Sequence, residues 1–139
     1  MNELLMGVAR AVPIVGRRVR SATMNLRDLV QTYTDAWSTA DADRFRLLVL
    51  DGCLRHDPGS TVTISVADNE RRFRETHERF PGLRFTNTWM WEHGDDTITV
   101  AYSMASGPDT FSGLEVFRFA EGRIVEVWNV APANGHWMA

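Results

Sequence analysis

The spacing of apolar positions along this chain changes period once, and that change divides the sequence. From Asn25 to Trp37, the positions Leu26, Leu29, Val30, Tyr33, Ala36 and Trp37 recur at helical spacing. Asn25 is placed to cap and Asp28 lies in the favourable first turn. A shorter helix is predicted over residues 41–50, turning Phe45, Leu48 and Val49 inward. Residues 53–59 and 61–65 read as brief strands, the first closed by Pro58-Gly59. A third helix is predicted over residues 68–79, capped by Asp68, with Phe73, His77 and Phe80 on one stripe and Pro81-Gly82 as its stop. Beyond Pro81 the period is two. Residues 83–92, 97–105, 110–120 and 123–130 read as four strands, the last two joined by the tight turn Ala120-Glu121-Gly122-Arg123. Helices followed by an antiparallel meander make an α+β fold, with the helices packed on one face of a curved sheet.

The first 23 residues do not share this pattern. Their apolar run, from Val8, is broken by Pro13 and followed by Arg17-Arg18-Val19-Arg20. It is too short to span a bilayer, and its charges lie on the wrong side for a secretory signal. Residues 1–23 are therefore expected to be an N-terminal extension and residues 24–139 a single domain, as a length of 139 allows. The functional alternative for the extension is a basic amphipathic segment resting on a membrane, a partner or the mouth of a pocket.

Composition narrows the function by exclusion. All 15 basic residues are arginine, which points to a GC-rich genome more than to a physical demand, and they are scattered through an excess of acids giving a net charge of −3. That distribution leaves no nucleic-acid footprint. A lone cysteine, Cys53, excludes an internal disulfide, fits a reducing cytoplasm and reads as a buried small hydrophobe. There is no His-x-x-x-His motif, cysteine cluster, glycine-rich phosphate loop or serine nucleophile elbow, so neither a metal nor a cofactor is expected.

The candidate chemistry lies on the late strands. Alternation puts Glu115 on one face with Phe117 and Phe119, and Leu114, Val116 and Arg118 on the other. Either that face is wet, or Glu115 is an acid in an apolar pocket, where loss of solvation disfavours its charged form and raises its pKa. Trp89, Trp91 and His93 share one strand face, and Ile98, Val100, Tyr102 and Met104 share another. One row is expected to line a pocket and the other to meet a homodimer partner. Five tryptophans favour a flat hydrophobic ligand, or burial at such an interface.

Three motifs occur in this order: Arg55-His56-Asp57-Pro58-Gly59 after the early helices, Phe80-Pro81-Gly82-Leu83-Arg84-Phe85 before the sheet, and Val116-Phe117-Arg118-Phe119 followed by residues 121–128. Over residues 24–132 the chain thereby resembles the nuclear transport factor 2-like superfamily, and within it the SnoaL-like polyketide cyclases and ketosteroid isomerases. The resemblance implies a cone-shaped curved antiparallel sheet wrapped around the N-terminal helices, the cystatin-like α+β barrel. In those isomerases a tyrosine on the first helix and an acid on a late strand form the oxyanion site, and an aspartate before proline is the base. Tyr33, Glu115 and Asp57 stand at those positions. Glu115 replaces an aspartate, and its extra methylene moves the carboxyl by about an ångström, the scale on which positioning matters. His56 is a further catalytic candidate on the opposite strand face from Asp57. Trp89, Trp91, Tyr102, Phe117 and Asn129 are candidate pocket lining.

The function implied is a cofactor-independent cyclase or isomerase performing acid–base chemistry on a hydrophobic carbonyl compound, in polyketide or related natural-product biosynthesis. Glu115 would be the acid or oxyanion donor, Asp57 the base and Tyr33 a second donor. The alternatives are a hydratase, dehydratase or epoxide-opening enzyme, and a non-catalytic ligand-binding or dimeric interaction module.

Overall fold

Local chemistry sets the helix ends. In the computed structural model, which describes residues 24–138, α1 spans Leu26–Ser38 and its Asn25 cap accepts a hydrogen bond from the Asp28 amide at 2.9 Å. Helix α2 spans Ala42–Leu48 and is capped by Asp41. Helix α3 spans Val66–Arg79. Its cap is Ser65 rather than Asp68: the serine hydroxyl accepts from the Asp68 amide, and Asp68 serves in the first turn, where negative charge suits the helix dipole. The expected extension, residues 1–23, lies outside the described residues.

The strands are β1 (Val49–Asp57), β2 (Ser60–Ile64), β3 (Arg84–His93), β4 (Thr97–Ser106), β5 (Asp109–Ala120), β6 (Arg123–Asn129) and β7 (Ala133–Asn134). The chain thus leaves the second helix two residues earlier than its apolar pattern suggests. The sheet order is β2-β1-β6-β5-β4-β3, with β7 beside β5. Every pairing among the described residues is antiparallel except β1 with β6. The curved sheet is therefore mixed, although the α+β order and the helix-covered face are those expected. At the β5–β6 turn Glu121 and Gly122 both have positive φ, 53° and 77°, as the hairpin twist of a type I′ turn requires.

Two register shifts decide which side chains face the helices. Between Asn87 and Trp89 an extra residue enters β3, so Asn87 stands opposite Tyr102 while Met90 stands opposite Val100. Phe85 and Asn87 point inward, and after the bulge Met90 takes the inward place. Simple alternation would have carried the inward face to Trp89 and Trp91; the bulge turns both to the outer face, 40% and 47% exposed. A second shift, between Arg118 and Phe119, lets Ile124 and Val127 both reach the core.

Trp37, Phe45 and Phe73, one ring from each helix, meet with centroids 4.6–5.1 Å apart. Each is buried against the inner sheet face with Val30, Leu83, Ile98 and Val100. Burying one such side chain contributes about 1.5–3 kcal/mol, so this aromatic junction sets the helices over the sheet more firmly than the exposed ion pairs of α3. No helix among the described residues is long and apolar enough to cross a membrane.

Candidate active site

The helices do not fill the whole concave face of the sheet. A cavity of about 210 Å³ remains, to which every layer contributes. Helix α1 supplies Tyr33, Thr34 and Trp37, and α3 supplies Arg72 and Thr76. The sheet supplies Arg55, Phe85, Asn87, Val100, Tyr102, Met104, Glu115, Phe117 and Asn129, and Pro132 stands at the start of the terminal segment. An apolar void of about 150 Å³ accommodates benzene. One ring with a substituent therefore fits, and a larger ligand must project through the mouth.

Glu115 is the acid among these lining residues. Strand pairing sets it between Val100 and Asn129, and Phe117, 3% exposed, follows on the same face. Glu115 is half-buried and borders the cavity, and a second void of about 20 Å³, shared with Arg72, Tyr33 and Phe117, has room for one water molecule. Burial pushes the Glu115 pKa up, while the charges of Arg72 and Arg55 oppose the shift and that of Asp57 adds to it. Tyr33 packs edge-on to Phe117 at 5.4 Å. Its phenol is pushed up to about 12, first by burial and then by the Glu115 charge, and so remains a proton donor. Tyr102 is raised for the same two reasons. Its ring lies across Gly113, where a Cβ would stand 2.8 Å from the tyrosine hydroxyl.

Asp57 is not among the lining residues. Arg55, two residues earlier on the same strand face, grips both its oxygens at 3.0 and 3.1 Å and lies on the cavity side. With its amide oxygen turned to Arg55, Asn129 accepts from Nη2 at 2.8 Å and donates to the Val130 carbonyl at 3.2 Å. The expected base is thus engaged by a guanidinium.

His56 faces the other side of the sheet, stacked on Trp128 at 4.9 Å and bonded through Nε2 to Glu126 at 2.6 Å and through Nδ1 to Thr61 at 2.9 Å. It is not among the residues lining the cavity. Trp89 and Trp91 also lie outside, stacked on each other at 6.5 Å with Trp137 against Trp89. The pocket-lining role expected of these two tryptophans is corrected by the β3 bulge.

Arg55, Arg72, Thr34, Thr76 and Asn87 line the cavity without having been singled out as site residues. Arg55 was accessible to simple alternation, being two residues from buried Cys53. Arg72 lies at i+3 from buried Asn69 and beside buried Phe73, but an arginine on a highly charged helix is ordinarily assigned to solvent. Asn87 donates to Thr34 Oγ1 at 2.9 Å. That hydroxyl's own proton goes to the Val30 or Gln31 carbonyl, which fixes the amide and leaves Asn87 Oδ1 buried without a donor. No group of His, Cys, Asp and Glu able to hold a metal occurs among the described residues.

A SnoaL-like domain model matches residues 30–127, and the chain belongs to that family. Among curated proteins none matches it. Solved structures of the same fold include a proposed ketosteroid isomerase from Kribbella flavida, 17% identical, covering 81% of each chain with a TM-score of 0.65. A proposed polyketide cyclase from Sinorhizobium meliloti is 18% identical, covering 73% of this chain and 93% of its own, with a TM-score of 0.63. An uncharacterised cystatin-fold protein from Novosphingobium aromaticivorans, 14% identical, covers 78% of this chain and 100% of its own with a TM-score of 0.68. At such identities the likeness establishes the NTF2-like, cystatin-type fold, and the chemistry must be argued from the cavity.

Proposed function

We propose that this protein is a cofactor-independent cyclase or isomerase that moves a proton on a small hydrophobic carbonyl compound, with Glu115 as the proton-exchanging group. The observation that carries the reading is a half-buried carboxyl with raised pKa facing a cavity that also holds Tyr33 and Tyr102. A pKa displaced towards neutrality suits one group to both acceptance and donation. The ionised carboxylate takes the proton α to the carbonyl, and the electron pair moves onto the carbonyl oxygen. The hydroxyls of Tyr33 and Tyr102 donate to that oxygen. Where the substrate carries a β,γ C=C bond, Glu115 then returns its proton to the γ-carbon of the dienolate, completing an isomerisation to the conjugated carbonyl. In a cyclisation the enolate carbon instead bonds to a second carbonyl, and Glu115 protonates the resulting alkoxide. Asp57 acts by holding Arg55.

Membership in the SnoaL-like family, with a proposed bacterial polyketide cyclase among the solved structures of the same fold, supports a place in bacterial natural-product biosynthesis, and the lone cysteine fits a reducing cytoplasm. The outer face, with Trp89, Trp91, Leu114 and Trp128 all more than one-third exposed, supports a homodimer.

The test is exchange of α-hydrogens for deuterium in a panel of small cyclic ketones, neutral and acidic, followed by NMR. This reads the proton transfer whichever product forms. Catalysed exchange in the wild type that disappears in Glu115→Gln supports the proposal. Exchange no faster than buffer across the panel favours the non-catalytic binding module instead.

A further inference from the structure

Arg72 presents a cation for which the protein supplies no counter-ion. Its Nε is buried with no hydrogen-bond partner, and its Nη2 makes one long contact, 3.4 Å, to Asn69 Oδ1. Among the described residues no carboxylate stands within ion-pair distance of it, whereas the other cavity arginine, Arg55, is matched by both oxygens of Asp57. Glu115 borders the same two voids. The two make no ion pair, however, so the guanidinium keeps its hydrogen-bonding capacity for a ligand. A half-buried cation left without a partner is costly, and a chain that keeps one at its ligand cavity gains most when the ligand brings the anion.

We propose that Arg72 is the binding site for a substrate carboxylate, so that the substrate class is a small, ring-sized carbonyl compound bearing one carboxylate. The carboxylate sits on the α3 side, on the planar fork of the guanidinium, which matches its two oxygens. The rest of the ligand lies along Trp37, Phe85, Met104 and Phe117, with its carbonyl towards Tyr33 and Glu115. One unmatched charge calls for a monoanion; a phosphate dianion would bring a second charge that the cavity does not balance. The proposal names the substrate class of the site described above and rests on that reading for catalysis, while the binding itself needs only the cavity and Arg72.

The experiment measures binding by calorimetry and NMR for benzoate, benzamide and phenyl phosphate, with the full-length wild type, Arg72→Gln and Arg72→Lys. Expected are a preference of about tenfold or more for benzoate over benzamide, its disappearance in Arg72→Gln, a partial preference in Arg72→Lys, and a shift of the Arg72 Nε–H resonance on adding benzoate. Gln removes an unpaired half-buried charge, so the variant should melt no lower than the wild type. An unfolded Gln variant would leave Arg72→Lys and the Nε–H resonance as the deciding measurements. Equal affinity for benzoate and benzamide, no binding of either, a preference that survives Arg72→Gln, or tighter binding of phenyl phosphate than of benzoate each overturns it. In Glu115→Gln the benzoate preference should persist while deuterium exchange is lost. Loss of exchange with no carboxylate preference in any form would sink this inference alone, and preference without exchange would sink the catalytic one alone.

Discussion

Replacing Glu115 by glutamine separates a half-buried acid from a structural residue because it keeps the volume and removes only the titration. No void opens between Val100, Asn129 and Phe117, so the packing cost of a truncation is absent. The electrostatic term has a definite sign. A carboxyl whose folded pKa is raised binds its proton more tightly when folded. Its favourable contribution is therefore complete below the ordinary value of 4.5 and is lost as pH rises through the folded pKa. Each unit of upward displacement corresponds to about 1.4 kcal/mol. Glutamine has no such slope, so the stability of Glu115→Gln relative to wild type should grow as pH rises above 4.5 and level off once pH passes the folded value, read from denaturant midpoints at unchanged m. Turnover should move the other way. Loss of the transferable proton is expected to slow deuterium exchange by roughly 10²-fold, about 2.7 kcal/mol of barrier. A variant that exchanges at the wild-type rate, or one that is less stable across the whole pH range, would refute the reasoning.

Gly113→Ala places a methyl 2.8 Å from the Tyr102 hydroxyl and 3.0 Å from its ring carbon. It should cost about 1–3 kcal/mol and weaken ligand binding together, and an unchanged melt with unchanged affinity would show that the ring is free to move. Glu126, held below the usual carboxylate range first by the hydrogen bond with His56 and then by Arg118, contributes stability above 4.5 that is lost as pH falls through its folded value. Glu126→Gln should accordingly flatten the acid limb of a pH–stability profile while leaving deuterium exchange intact. The outer aromatic face predicts a dimer in sedimentation at micromolar concentration, converted to a monomer by Trp91→Asp; a monomeric wild type would count against that interface.

What the sequence determined by itself was whatever depends on neighbours within a few residues. Periodicity located the helices and strands, the Asn25 cap and the Glu121-Gly122 turn followed from side-chain and backbone preferences, and alternation set Glu115 beside Phe117. These features are local, and the motif order around them carried the family. Contacts between distant segments were settled only by the tertiary structure. The parallel pairing of β1 with β6 joins strands on either side of α3 and the meander, and no local pattern records it. The bulge between Asn87 and Trp89 reverses the face of half a strand, because a period of two turns one inserted residue into an exchange of inside and outside. Asp57 looked like a free base until Arg55 closed on it, and His56 found Glu126 from 70 residues away. Arg72 reads as a solvated charge on a charged helix. Only the packing of α3 over the sheet buries it at the cavity, where the enclosure, and not the residue type, makes its charge matter.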